Sequence, residues 1–346
     1  MKRAAVLAAS MLLPLTAFGA RLRSPWDSRP VKLTSAAYAC PAIVHLSPDL
    51  TTSGFYSDKK GSIIDPAKWK AYATTAGPYK KLGQEIVDAA DAYRTHGSRQ
   101  AARCAVDHML TAAREGVLTG KMSSNQAYYV QGWVIGAIAI AYLKIRDSGL
   151  IRRDESRAIQ PWMVAVVRQT MHYYDARRKK STDDAENNHL YWAGVEVAAA
   201  GIATSNRKLF RWGIQTYFVG IAQIQPDGSL LREMRRGRRA LHYHLYAAAP
   251  LVYLAEFGED NGMHLYGARD YALKRLVKLS TDGLVDNSFF NKATGIPQDL
   301  PDGPPAAEQI SWAKLYVARF PDPAISKLLQ KASSLSYMYL GGLPPE

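Results

Sequence analysis

Apolar residues along this chain recur mostly at threes and fours, the spacing that lines one face of an α-helix. Ile159, Trp162, Met163, Val166, Val167, Met171 and Tyr174 form one such stripe, which reads as core. From Gln126 to Lys144 (QAYYVQGWVIGAIAIAYLK) the segment is apolar nearly all round, so a helix buried between neighbours is expected there. Leu190 to Thr204, Leu209 to Ile224, Leu241 to Phe257, Ala272 to Leu279 and Ala307 to Phe320 repeat the theme, and strand-like alternation is short and scattered. Compact turns such as Pro226-Asp227-Gly228 separate them, and Gly295 to Pro305 (GIPQDLPDGPP) reads as a surface loop. No stretch is long enough for an interdomain linker. The pattern predicts a single all-α domain over residues 20–346, built of stacked antiparallel helix hairpins around a central cleft. A helical solenoid is the alternative.

The first twenty residues break this pattern. MKRAAVLAASMLLPLTAFGA has a basic start, an apolar run interrupted by Pro14, and small residues at Ala17 and Gly19, the build of a secretory signal peptide over residues 1–19. The run is too short to span a bilayer and no second apolar span is expected to follow, which disfavours a membrane anchor. Export to the periplasm or the medium is the consequence. Cys40 and Cys104 are then expected to form one disulfide, tying the N-terminal segment to a later helix, with buried free thiols as the alternative. No CxxC or HxxxH spacing occurs, so neither a metal nor a cofactor is expected. The formal charge is +14, of which Lys2 and Arg3 would leave with the signal peptide. So basic a chain suggests an acidic partner: nucleic acid, a membrane surface or an anionic polysaccharide.

Two segments carry candidate chemistry. In LLREMRRGRRALHYHLYAAAPLVYLAEFG, Leu230 to Gly258, a helix from about Arg238 would gather Arg239, His242, Tyr243 and Tyr246 on a stripe roughly 100° wide. Such a face is either solvated surface or the wall of a cleft. Two tyrosines beside a histidine would waste apolar area in open water. Arg235, Arg236, Arg238 and Arg239 would also repel one another without an anion nearby, which favours the cleft. In NNHLYW, residues 187–192, one Asn suffices to cap a helix. Asn188 and His189 would then point polar groups past a helix N-terminus that already favours anions, with Trp192 as a flat plate on the same side.

NNHLYWAG together with LLREMRRGRRALHYHLYA resembles the polysaccharide lyase family that holds the bacterial poly(β-D-mannuronate) lyases, the periplasmic or secreted alginate lyases. The likeness extends more loosely over most of the chain and includes FYSDKKGSIIDP, Phe55 to Pro66. It implies an (α/α) toroid, an incomplete α/α barrel around a long cleft, and β-elimination without metal or cofactor. By position the family's essential Asn, His, Arg and Tyr fall on Asn188, His189, Arg236 and Tyr243, and its lid falls near Tyr56 to Lys60.

Elimination from a polyuronate removes the C5 hydrogen and expels the C4 oxygen. The neighbouring carboxylate must first be neutralised, a task suited to the Asn188 amide and the Arg236 cation, with help from His189. In mannuronate and glucuronate both sites lie on one side of the ring, so Tyr243 alone can take the proton and return it to the leaving oxygen. Guluronate would need a separate base, for which His189 is the candidate. A phenol titrates near 10, so the arginines are expected to lower Tyr243. Arg239, His242, Tyr246 and Trp192, with Tyr56 and Lys60 of the lid, are expected to hold neighbouring sugars. β-D-Mannuronan is the first expected substrate, then glucuronan and hyaluronan, acted on by a monomer that binds no nucleic acid. The rivals are a non-catalytic polyanion carrier and a glycoside hydrolase, which would need paired carboxylates across the cleft, where the motifs carry Glu186 and Glu233 but no obvious acid pair on the expected cleft face.

Overall fold

The computed structural model describes residues 21–300 and 302–345, so the expected signal peptide lies outside the described residues. Among these the chain is helical, with isolated bridges and no strand. The long helices mostly begin where a small polar side chain caps them. Asp65 accepts from the N–H groups of Ala67 and Lys68, and Pro66 supplies a preset first φ, which starts α1 (Pro66–His96). Gly97 ends α1 in the left-handed conformation and Ser98 at once caps α2 (Arg99–Glu115). Ser124 caps α3 (Asn125–Ile145), and α4 (Arg153–Lys179) follows. Asn187 caps α5 (Asn188–Ala203) and Asn206 caps α6 (Arg207–Gln223). A single turn, α7 (Leu231–Met234), leads to α8 (Ala240–Glu259) and α9 (Ala268–Gly283).

The hub is α5, which packs against α3, α4, α6 and α8. All of its residues except His189 are buried, so its apolar-all-round sequence has partners on every side. Glycines let it approach α6 backbone to backbone: a Cβ on Gly213 would lie 2.5 Å from the Gly194 carbonyl oxygen. Helix α3 is likewise buried, as its pattern predicts. It is also long and apolar enough to cross a membrane, which corrects the expectation that no second such stretch follows the signal peptide. Enclosure by neighbouring helices accounts for that apolarity.

Buried polar ties fix the chain ends on this frame. Arg146, which caps the C-terminus of α3, bonds Asp27 and donates to the carbonyls of Leu22 and Ile202 at 3.1 and 3.0 Å, fastening the N-terminal segment. Lys144 donates to Asp91 on α1 and to the carbonyls of Gly341 and, at 2.8 Å, Leu343. It thereby clamps the C-terminal loop that carries Tyr337 and Tyr339, and removing one partner of such a buried pair costs about 3–5 kcal/mol. The Cys40–Cys104 disulfide forms as expected, with Cα atoms 5.6 Å apart, and joins the N-terminal segment to α2.

Two boundaries differ from the pattern. Ala307 to Phe320 is two short helices, Ala307–Ile310 and Ala313–Arg319. The Trp312 indole N–H bonds the Gln309 carbonyl at 2.9 Å and so takes it out of the helical ladder. The helix placed from Arg238 starts at Ala240, because Gly237 at φ 58° opens a tight 3₁₀ turn through Arg239.

Candidate active site

Three pieces of chain meet at the start of α5: the α5 terminus itself, the α7–α8 turn, and a hairpin-like loop, residues 55–65. At the terminus Asn187 takes the capping role, its side chain accepting from the His189 N–H at 3.0 Å. Asn188 is therefore free for other work. Its backbone N–H and its side-chain amide both donate to one oxygen of the buried Glu233, at 3.0 and 2.9 Å. Glu233 sits one turn before Arg236 in sequence, and its carbonyl accepts the Arg236 N–H at 3.0 Å. His244 anchors the entrance to this turn: its Nε2 accepts from the Leu230 N–H at 2.9 Å while its Nδ1 bonds the Ala240 carbonyl at 2.8 Å.

The arginine run divides by direction. Arg235 and Arg238 are exposed, whereas Arg236 and Arg239 are partly buried and turned towards Tyr243. The Arg236 guanidinium carbon lies 3.5 Å from the centroid of the Tyr243 ring, and Arg236 donates to the Gly61 carbonyl at 2.9 Å. The hydroxyls of Tyr243 and Tyr56 are hydrogen-bonded at 2.9 Å, and Arg239 donates to the Tyr56 hydroxyl at 2.6 Å. Tyr56 and Gly61 belong to the loop, which is down over the site as a lid. Its turn is set by the Asp58 carboxylate, which accepts from Ser62 N, Ser62 Oγ and Ile63 N, each at 2.8 Å. Slight burial raises the Asp58 pKa, but those bonds outweigh it and hold the group at about 2. Gly61 needs its positive φ, and a Cβ there would meet Arg236 at 2.7 Å.

His189 stacks on Tyr129 with centroids 3.9 Å apart and planes 16° from parallel. The Tyr129 and Tyr173 hydroxyls donate to Asp184 at 2.8 and 3.0 Å, and Arg177 bonds the same carboxylate, so the stacked ring has a fixed backing. Burial, then the charge of Arg236, lowers the His189 pKa to about 3, which leaves the imidazole neutral at neutral pH. Around it, polar atoms are buried without a partner: Nδ1 of His189, Oδ1 of Asn188 and Nε of Arg236.

Tyr243 in its pKa and Trp192 in its exposure depart from expectation. Tyr243 is 6% exposed, and burial raises its pKa above the ordinary value against the lowering pull of Arg236 and Arg239. The arginines have the expected sign, but desolvation wins. Trp192 is 1% exposed and donates its indole N–H to the Tyr246 carbonyl at 3.0 Å. It is not an accessible plate but the support beneath Tyr246, whose ring lies 4.8 Å away. His242 stacks parallel to Tyr246 at 6.0 Å, and burial followed by Arg239 and Arg236 lowers it to about 3. Lys60 is exposed at the lid turn without a hydrogen bond or ion pair among the described residues.

Pattern reasoning missed an aromatic floor beyond Tyr246. Tyr337 and Tyr339 pack at 5.2 Å, Tyr339 stacks on Trp133 at 4.8 Å, and the Lys80 ammonium lies 5.6 Å from the Tyr339 centroid. Glu308 faces this region, its pKa raised by burial against the pull of Arg239 and Lys80. The one local hint is the alternation YMYL at residues 337–340. Elsewhere, Cys40, Cys104 and His108 come close enough to offer metal ligands, but both sulfurs are spent in the disulfide.

An all-helical frame that brings amide, imidazole, guanidinium and phenol to one lidded site suits acid–base chemistry on an anionic substrate, and comparison with known proteins agrees. The alginate lyase family model matches residues 49–290. A polysaccharide lyase of Stenotrophomonas maltophilia (strain K279a) is 35% identical over 312 residues, covering 89% of this chain and 90% of that protein. An alginate lyase of Pseudomonas fluorescens (strain SBW25) is 31% identical over 250 residues, 71% of this chain and 66% of that one. Among solved structures, alginate lyase A1-III from Sphingomonas species A1 superposes with a TM-score of 0.72 at 21% identity, covering 89% and 86% of the two chains. A variant of that lyase in complex with a tetrasaccharide gives 0.76. The fold is the (α/α) toroid. The chain belongs to the alginate lyase family and is a polysaccharide lyase, so the carrier and hydrolase readings fall.

Proposed function

We propose that the enzyme cleaves poly-β-D-mannuronate, and with it poly-glucuronate and hyaluronan, by β-elimination that needs no metal and leaves a 4,5-unsaturated uronate end. The observation that carries this reading is the unbroken contact from Arg236 through Tyr243 and Tyr56 to Arg239, beside the Asn188 amide and the neutral His189.

The substrate carboxylate takes the place of the Gly61 carbonyl on Arg236, with the remaining N–H of Asn188 and an N–H of His189 as further donors. Charge that develops on the carboxylate oxygens as the C5 hydrogen leaves is thereby held. Tyr243, entering the step as its phenolate, takes that hydrogen as a proton. The C5–H electrons form the C4–C5 double bond, the C4–O bond breaks, and Tyr243 returns the proton to the leaving oxygen. Arg239 donates to Tyr56, whose hydroxyl is hydrogen-bonded to Tyr243, and the positive charges of Arg236 and Arg239 favour the phenolate that the step requires. On guluronate the sites lie on opposite faces and His189 would be the base. Tyr246 and His242 hold neighbouring rings, with Trp192 behind them, while Tyr56 and Lys60 close over the chain.

Residues 1–19 serve as the signal peptide, and the enzyme works in the periplasm or medium as a monomeric single domain without a membrane anchor. The disulfide supports that reading. The test mixes purified protein with mannuronan, glucuronan and hyaluronan, with and without a chelator, and follows the near-ultraviolet absorbance of the unsaturated uronate. Absorbance growing fastest on mannuronan and indifferent to the chelator is expected. Reducing ends without that chromophore, or activity lost with the chelator, would overturn the proposal.

A further inference from the structure

The mechanism above leaves a buried carboxyl group in the wall of the site unused. Glu233 is 1% exposed in the wall of the site, where an unmatched carboxylate is expensive. One of its oxygens accepts both the backbone N–H and the side-chain N–H of Asn188, and the other has no partner. An Asn amide carries two N–H groups on a soft terminal torsion, so its direction is set by whatever binds it. Here the backbone bond fixes Glu233 against the first residue of α5, and the side-chain bond then fixes the amide against Glu233. The same turn carries Arg236 three residues on, with the Arg236 N–H bonded to the Glu233 carbonyl. Two of the three groups that meet the substrate carboxylate, Asn188 and Arg236, are thus tied to one residue.

We propose that Glu233 is a positioning residue for the elimination: it clamps one N–H of the Asn188 amide so that the other is aimed at the sugar carboxylate. The inference rests on the reaction proposed above. Glu233 takes no proton from substrate and touches none of its reacting atoms. Its effect should therefore fall on the chemical step, where a misaimed donor weakens stabilisation of the developing charge, and little on binding of a long polyanion held at many points.

Three variants test this: E233M, which keeps bulk without an acceptor; E233Q, which keeps an acceptor oxygen without the charge; and E233M in an N188A background. E233M should lower kcat about 10- to 100-fold with KM within about twofold, the range seen when a partner behind a functional group is lost. E233Q should recover most of kcat, and in N188A the further change to Met should cost almost nothing. E233M with undiminished kcat, E233Q as slow as E233M, or losses that add in the double variant would each overturn the role. If E233M does not fold, the wild type decides. In protein labelled at asparagine nitrogen, the side-chain amide signal that disappears in N188A should show one proton protected from exchange and one not, and two equally exposed protons would sink the clamp. Rates are read on whichever polyuronate the wild type cleaves fastest, so a wrong substrate shows in the wild type and a wrong role for Glu233 only in its variants.

Discussion

A phenol buried under a guanidinium loses its proton reluctantly and, once it has, takes one strongly. Tyr243 is in that position, its pKa raised by burial while Arg236 and Arg239 pull the other way. Tyr243→Phe keeps the ring under Arg236 and removes only the proton carrier, so kcat should fall about 10²- to 10⁴-fold with polymer binding nearly intact. If calorimetry shows binding lost along with turnover, or if most activity survives, His189 becomes the leading base. The histidines in and behind the site predict a different pH effect. His189 and His242 lie at about 3 and His244 at about 4, each lowered from 6.5 chiefly by burial. The unfolded chain therefore binds more protons between those values and 6.5, and stability present above pH 6.5 is lost as pH falls. Asp260, raised to about 6 by burial and Glu256, acts in the opposite sense over part of the same range. His244→Gln should cost about 1–3 kcal/mol at pH 7, since the Leu230 N–H loses its acceptor, yet show a shallower fall in Tm between pH 6.5 and 4. An unchanged slope would remove His244 from the acid sensitivity.

At the scale of elements the lid is the part most open to change. Its turn depends on the three bonds to Asp58, and its hold on the site on Tyr56 and the Gly61 carbonyl. Asp58→Ala should loosen the turn and raise KM several-fold while Tm moves by only a few degrees, because the three bonds tie the loop to itself and not to the helical frame. A large fall in Tm would show that the loop is part of the frame. Most of the frame was legible in the chain. Periodicity located α5, α6 and α8 to within a few residues, and the family resemblance carried by NNHLYWAG and LLREMRRGRRALHYHLYA pointed to Arg236 and Tyr243, which the fold does bring into contact. The backing was not legible. Tyr129 and Asp184 reach His189 from separate elements, and Tyr337 and Tyr339 arrive on a loop held by Lys144 some 200 residues away, contacts that no local pattern encodes. The open plate expected of Trp192 and the lowered pKa expected of Tyr243 failed for one reason: each was inferred from local chemistry, and burial, which decides both accessibility and pKa, is a property of the packed whole.

At the scale of the whole molecule, the formal charge of +14 is unevenly used. Several cations are already spent inside the frame: Lys144 on Asp91, Arg146 on Asp27, Arg103 on Glu155, Arg177 on Asp184, Arg232 on Asp183 and Glu186. Those that face the site, Arg236 and Arg239, have uncharged partners, a backbone carbonyl and a phenol. An approaching polyuronate therefore meets positive potential that is screened only by salt. With a Debye length of about 10 Å at 0.1 M and about 3 Å at 1 M, kcat/KM should fall steeply with ionic strength while kcat at saturation changes little, since encounter is screened and the buried contacts are not. Arg235 and Arg238, exposed beside the site, should contribute to that steering without touching the chemistry. The double variant Arg235→Gln, Arg238→Gln is expected to lower kcat/KM at low salt and to flatten its salt dependence, with kcat within about twofold of wild type. A salt slope as steep as the wild type's would mean that the field is set elsewhere on the surface, and a collapse of kcat would mean that these two arginines belong to the site itself.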